Sequence, residues 1–209
     1  MAHPEIPLPA TMRTWKITRS GPPATALTLS PSSPVPHLSP KSSNQVLVKI
    51  TYAGLNPADI HFMLNLPAWL PFRRHPTPGL DFVGTVVRKG ADVPGQLGLE
   101  VGMSVCGALS VGQAFWGVGS LAEYVCVPGE LVARVPGVFL EEGGKRVREA
   151  VGCGVAGQTA ALVSPSFLFL FLSVRSGLVE ARRPYDHSIC ICIHLTPTLG
   201  MGFASFVSR

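Results

Sequence analysis

The chain has 209 residues, 46% hydrophobic and 14% charged, so it is too apolar for a disordered protein and long enough for one or two domains. The formal net charge is +5, but the basic residues stand in short clusters without interleaved aromatic residues, which argues against nucleic-acid binding. The five cysteines lack the spacing of a disulfide framework, and no signal peptide or membrane-length apolar run is evident. We therefore expect a cytoplasmic protein with neither a nucleic acid nor a membrane as partner.

The N-terminal region, residues 1–43, is rich in proline, serine and threonine. Its pattern predicts a short strand at Thr14–Thr18. Ser30–Ser43, with the sequence SPSSPVPHLSPKSS, is typical of an extended surface connector.

Residues 44–140 are predicted to form one β-rich domain. Hydrophobic and polar residues alternate in Val46–Tyr52, as in a half-buried strand, and a helical turn or two is expected at IHFMLN. Short strands separated by glycine-rich turns favour a small, partly open barrel over a parallel βαβ sheet. The further predicted strands are Asp81–Arg88, Val101–Gly107, Ala122–Val127 and Leu131–Val135.

The C-terminal third of the chain falls into two parts. Residues 141–162 are the best helical region, although several glycines interrupt it. Residues 163–209 contain the biased stretches SFLFLFLSV and SICICIHL, which continue neither the barrel nor the helix. We predict that this tail is poorly ordered.

Five segments in fixed order resemble the N-terminal, GroES-like domain of the medium-chain dehydrogenase/reductase family, in its quinone oxidoreductase and enoyl reductase branch. The resemblance covers residues 12–162 and implies a mainly β, GroES-like, partly open barrel with short helices. The last segment resembles the start of the helix that joins this domain to a Rossmann half. The five segments are Val46–Asp59, Pro78–Val87, Val101–Gly107, Gly119–Pro128 and Glu149–Ala161.

The resemblance also implies an activity: the NADPH-dependent reduction of quinones or activated alkenes such as enones and enoyl thioesters. In this family the cofactor lies in the cleft between the barrel and the Rossmann domain. By position, Asn56 and Thr159 are the residues expected to line that cleft and contact the cofactor. Asp59 is expected either to shape the adjacent turn or to act as a structural cap, and Tyr124 to serve in packing.

The resemblance argues against zinc. Zinc-dependent members carry a cysteine at the position of Asn56 and a His-Glu pair at Leu80-Asp81, while Cys153 falls where a third ligand often stands. One thiolate cannot hold a catalytic zinc ion, which needs about three protein ligands. We therefore predict no metal site, with Cys153 a small buried residue and with His61 and His75 at the surface.

A complete family member would continue after Thr159 into a helix and a strand that lead to a glycine-rich dinucleotide loop, and no GxGxxG pattern follows Thr159 in this sequence. Val163-Ser164 can be encoded by GTAAGT, a consensus intron start, so the tail is either a splicing or gene-model artefact or part of a real shortened isoform. Two functions stay open: a truncated oxidoreductase that is inactive alone, and a non-catalytic interaction module built on the GroES-like domain.

Overall fold

The computed structural model describes residues 7–38, 43–65, 75–144, 146–155, 157–159, 190–194 and 203–206. The described strands are β1 (Thr11–Ile17), β2 (Leu27–Pro34), β3 (Gln45–Leu55), β4 (Asp81–Lys89), β5 (Ser104–Ala108), β6 (Tyr124–Pro128), β7 (Val132–Arg134), β8 (Cys190–His194) and β9 (Phe203–Phe206). The α-helices are short: α1 (Pro23–Ala26), α2 (Pro57–Asn65), α3 (Val111–Phe115) and α4 (Gly137–Gly144). Segments of 3-10 helix cover Gly95–Leu97, Gly129–Leu131 and Val147–Cys153. The prediction of a mainly β fold with short helices is confirmed.

Strand β3 organises the main sheet, which is antiparallel throughout. One edge of β3 pairs with β4, and β5 and β7 follow beyond it. The other edge is shared, because β6 pairs with Gln45–Lys49 and β8 with Tyr52–Leu55. This antiparallel pairing places the last residues of β3 beside the first residue of β4, so that Asn56, just after β3, lies next to Asp81.

The core forms because the inward-facing positions of β3, β4 and β6 are almost all branched aliphatic residues. Val46, Val48, Val86 and Val127 are fully buried, and Phe82 packs among them with no exposed surface. Burying each of these larger side chains stabilises the fold by about 1.5–3 kcal/mol. Strands β3 and β4 therefore lie where the sequence predicts, although both faces of each strand are largely covered, since Leu47 and Val83 are buried as well.

The N-terminal region corrects one prediction. Residues 27–34 do not belong to a connector: they form β2, which pairs antiparallel with β1 in a separate two-stranded sheet. Pro31 is compatible with this strand because it lies at the register shift between the pairs Met12–Ser33 and Thr14–Ser30, and Pro34 is compatible because it is the last residue of the strand. Arg13 joins the hairpin to the barrel through Glu123, whose Oε1 accepts from Arg13 Nη2 at 2.7 Å.

Three further boundaries differ from prediction. Strand β5 starts at Ser104, because Val101 and Gly102 form a turn in which Gly102 has a φ of 89°. Helix α3 was not predicted. The expected helix over residues 141–162 is instead α4, then the 3-10 segment Val147–Cys153, then helical backbone at Val155 and at residues 157–159.

The tail contributes strands β8 and β9, which pair with each other. Because β8 also pairs with the end of β3, the stretch SICICIHL continues the main sheet, and the expectation that it does not was wrong. The rest of residues 163–209, including the Phe/Leu-rich stretch, lies outside the described residues, so the predicted disorder of the tail stays a prediction. No described helix has the length and apolarity needed to span a membrane.

Candidate functional site

The turn after β3 is built around the buried carboxylate of Asp59. Strand β3 ends at Leu55, and Asn56 precedes the proline that starts α2. Asp59 Oδ2 accepts from the backbone N–H of Asn56 at 2.8 Å, and its Oδ1 accepts from the backbone N–H of Gly79 at 2.9 Å. Asp59 is therefore a structural cap that also fixes the loop before β4.

Burial raises the pKa of Asp59 above its ordinary value, and the nearby charge of Asp81 raises it further. The two backbone N–H groups that the carboxylate accepts act in the opposite direction, because they favour the ionised form. Burial prevails, so the protonated state of Asp59 is favoured more in the fold than in an unfolded chain.

Gly79 occupies a position that no other residue fits. Its φ is 94°, in the left-handed region, and a Cβ built there would overlap the side-chain oxygen of Ser120. That Ser120 hydroxyl is fully buried and has no hydrogen-bond partner in the described part of the chain. Gly79 and Ser120 therefore lie close together, and this contact packs the loop before β4 against the segment that leads into β6.

Asp81, at the start of β4, connects two parts of the site. It has no exposed surface, and its Oδ2 accepts from Asn56 Nδ2 at 3.1 Å. Its Oδ1 accepts from the backbone N–H of Val155 at 2.7 Å. Gly154 lies so close that a Cβ there would overlap the carboxylate.

The two residues predicted to contact a cofactor differ in environment. Asn56 is only 8% exposed, whereas Thr159 is exposed in the helical backbone that follows Val155. Asp81, which sequence reasoning did not single out as a site residue, binds the Asn56 amide and the backbone N–H of Val155, four residues before Thr159. Its position in the motif Pro78–Val87 was the available signal, but its partners lie 25 and 74 residues away in sequence.

The positions corresponding to zinc ligands do not make a zinc site. The Asn56 amide is hydrogen-bonded to Asp81, and Leu80 is apolar and half-buried. Zinc needs thiolate, imidazole or carboxylate ligands in a tetrahedral set. Within the described ranges, no group of three or more His, Cys, Asp or Glu side chains could hold a metal ion. His61 and His75 are exposed, as predicted.

The prediction for Cys153 was wrong, because this residue is exposed. The 3-10 segment directs Ala150 and Val151 inward and then turns at Gly154 against Asp81, so the inner positions are already occupied. The thiol of Cys153 lies beside that of Cys106, whose pKa is raised to about 11 by burial first and then by this neighbour.

Tyr124 is buried in a small cluster with Met12 and Val35, which confirms its packing role. Burial raises the pKa of its phenol, and the charge of Glu123 raises it further. A tyrosine in this setting stays protonated at neutral pH.

Comparison with known proteins agrees with the fold of this domain. The family model of the alcohol dehydrogenase GroES-like domain matches residues 42–137. The chain is 32% identical to trans-enoyl reductase phmE of Phaeosphaeria nodorum over 162 residues, which are 75% of this chain and 41% of that protein. It is 35% identical to 2-methylene-furan-3-one reductase of Solanum lycopersicum over 136 residues, 63% of this chain and 32% of that protein.

Among solved structures, the quinone oxidoreductase from Coxiella burnetii superposes with a TM-score of 0.46 and 26% identity, over 60% of this chain and 37% of that one. The chain spans about two fifths of the length of the trans-enoyl reductases phmE and pgmF. The predicted GroES-like fold is confirmed by the matching domain.

Proposed function

Because this chain carries the GroES-like N-terminal domain of the medium-chain dehydrogenase/reductase family, we propose that it forms the barrel side of a zinc-independent reductase of quinones or activated alkenes. The observation that carries the proposal is the Asn56–Asp81 hydrogen bond. It places a buried, neutral amide where zinc-dependent members hold a metal ligand. The relatives named as trans-enoyl reductases agree with this assignment.

The chemistry of the site suits a neutral contact with the nicotinamide end of NADPH. Asn56 and Thr159 each carry groups that can donate and accept hydrogen bonds, as a carboxamide and a ribose hydroxyl require. The pyrophosphate of such a cofactor binds at a glycine-rich loop and a helix N-terminus, which in this family belong to the Rossmann half. When bound, NADPH supplies the hydride for a two-electron reduction of a C=C or quinone ring.

The contribution of this chain is to orient the Asn56 side-chain amide toward the cofactor. Asp81 fixes the Asn56 amide, and Asp59 fixes the turn that carries it, so the amide is held in one direction before any ligand binds. Preorganised hydrogen-bonding groups of this kind stabilise developing charge without reorganising during the reaction. Reduction of an electron-poor double bond then needs no Lewis acid at Asn56, because the hydride adds to the β-carbon, the negative charge is delocalised onto the carbonyl oxygen as an enolate, and a proton added at the α-carbon completes the reduction.

The test compares two proteins: the 209-residue chain, and residues 1–159 joined to the nucleotide-binding half of a related trans-enoyl reductase. NADPH binding is measured by fluorescence, and turnover with 1,4-benzoquinone and with a trans-2-enoyl thioester by absorbance. We expect little or no turnover by the 209-residue chain, because alignment of hydride donor and acceptor supplies much of the catalysis. We expect NADPH-dependent turnover by the joined protein.

A matched pair of variants tests the assigned residue. In the joined protein, Asn56→Ala should lower kcat/KM by about tenfold or more, since it removes a hydrogen bond to the cofactor. Asn65→Ala, an exposed asparagine at the end of α2, should change it by less than about twofold. Tight NADPH binding with turnover by the 209-residue chain, or equal effects of the two substitutions, would contradict the proposal.

An interaction module is the second candidate, and one observation favours it. Helix α3 and the turn after it expose Val111 (80%), Trp116 (69%) and Phe115 (47%), the last two in edge-to-face contact. Neighbouring exposed apolar side chains are a feature of protein contact surfaces. Self-association that is abolished by Trp116→Ser, in a chain that does not bind NADPH, would favour this candidate.

A further inference from the structure

We infer that Asp81 is the positioning residue of this site: one buried carboxylate sets both the direction of the Asn56 amide and the start of the helical backbone that carries Thr159. The functional meaning rests on the proposed reductase role. The positioning itself is independent of that role and can be tested in the 209-residue chain without a cofactor.

The first half of the inference concerns Asn56. A carboxylate only accepts hydrogen bonds, so the amide must turn its nitrogen toward Asp81 Oδ2. The amide oxygen consequently points away from Asp81, as an acceptor for another group. The opposite orientation would place the amide oxygen against a carboxylate oxygen in a buried setting, where the two acceptors repel each other and share no hydrogen.

The second half concerns the segment after the 3-10 helix. Val155 donates its backbone N–H to Asp81 Oδ1 at 2.7 Å, a distance typical of a charge-assisted bond. Four residues later along this helical backbone stands Thr159. The bond therefore anchors the segment at its first turn, directly beside the end of β3.

Two glycines, Gly54 and Gly154, allow the backbone to pass close to Asp81. A Cβ at Gly54 would come within 3.2 Å of Asp81 Cβ and within 2.7 Å of Val151 Cγ1. At Gly154 a Cβ would overlap the carboxylate itself. Glycine on both sides lets β3 and the incoming segment approach Asp81 closely enough for both hydrogen bonds.

The experiment exchanges the carboxylate and the amide between positions 81 and 56. In Asp81→Asn, the one side-chain oxygen can accept from Val155 only if the new amide nitrogen faces Asn56, so either the Asn56 amide rotates to present its oxygen or one of the two bonds is lost. In the double variant Asn56→Asp/Asp81→Asn, the carboxylate at position 56 accepts from the amide at position 81, whose oxygen still accepts from Val155. The double variant should therefore restore what the single variant loses.

The readouts are the side-chain amide signal of Asn56 and the hydrogen exchange of the Val155 amide, by nuclear magnetic resonance of the 209-residue chain. For Asp81→Asn we expect exchange about tenfold faster at Val155, or loss of the shifted Asn56 amide signal. In the double variant Val155 exchange should return to within about threefold of the original. Asp92→Asn, at an exposed aspartate, is the control and should change neither signal.

A second pair of variants keeps the inference testable if Asp81→Asn does not fold. Gly154→Ala places a methyl group against the carboxylate, whereas Gly152→Ala, two residues earlier, meets nothing within 4 Å. We expect faster Val155 exchange in the first only. Unchanged signals in both Asp81→Asn and Gly154→Ala, or no recovery in the double variant, would overturn the inference. NADPH binding and turnover are measured separately, so failure of the proposed function leaves this result unaffected.

Discussion

Replacing Asp59 by asparagine tests how the turn after β3 is held. The carboxylate accepts the N–H groups of Asn56 and Gly79 through its two oxygens. An amide has one oxygen, so its nitrogen would face one of the two donors. Hydrogen bonds to a charged group contribute about 1.5–3 kcal/mol each, so we expect Asp59→Asn to lower the free energy of unfolding by about 2 kcal/mol at neutral pH. For a chain of 209 residues that corresponds to a Tm lower by about 4–8 °C.

The same substitution should change how stability depends on pH. Since burial raises the pKa of Asp59 above 3.8, the folded state binds its proton more readily than the unfolded state. The stability that this difference provides is fully present below pH 3.8 and is lost as the pH rises through the folded-state pKa. The parent chain should therefore lose stability with rising pH in that window relative to Asp59→Asn, in which this titration is absent.

The measurement is urea unfolding followed by circular dichroism at several pH values, for the parent chain, Asp59→Asn and the control Asp92→Asn. Asp92 also accepts a side-chain hydrogen bond, from Ser43, but it is exposed. Its loss should cost less than about 0.5 kcal/mol. Equal destabilisation by the two substitutions, or parallel pH profiles for the parent and Asp59→Asn, would refute the reasoning from burial.

Three further predictions follow from the same structure. Purified protein should contain far less than one zinc ion per chain by elemental analysis, because neutral and apolar residues occupy two of the family's ligand positions; one tightly held ion would show this to be wrong. At pH 8, iodoacetamide should modify exposed Cys153 before Cys106 and Cys126, whose pKa values of about 11 leave only about one thiolate in a thousand; peptide mass spectrometry would reveal the reverse order. Phe82→Ala should cost about 3–5 kcal/mol by chemical unfolding, against less than about 1 kcal/mol for exposed Leu29→Ala, and similar losses would contradict the assigned core.

The strands of the barrel could be predicted because a buried strand face requires apolar residues at every second position. Val46, Val48 and Ile50 stand at every second position and are buried in strand β3, although Leu47 between them is buried as well. Strand β2 was missed because two prolines within eight residues suggest a connector, and only pairing with β1 satisfies its backbone. Helix α3 has too few residues for periodicity, but Ser110 and Gln113 form a capping box, a three-residue signal that could have located its start.

The contacts of the site could not be predicted from the sequence, since its hydrogen bonds join residues that are distant in sequence. Asn56 and Thr159 were singled out by resemblance, while the carboxylate that connects their segments was read only as half of a replaced ligand pair. No local pattern indicates that Asp81 will meet Val155, because that contact depends on how the 3-10 segment turns at Gly154. The exposure of Cys153 follows from the same turn, and for the same reason the sequence did not reveal it.

The two-stranded β1–β2 sheet joined through Arg13 also has a consequence for local unfolding. Beyond the Arg13–Glu123 pair, backbone bonds such as Trp15 N–H to Leu121 O tie the hairpin to the barrel. Because the ion pair is partly exposed, salt screens it. The hairpin should therefore open as a cooperative unit more often at high ionic strength, while β3 and β4 stay protected. Limited proteolysis in rising salt would then release an N-terminal fragment and leave a shortened barrel that still contains Asn56 and Asp81.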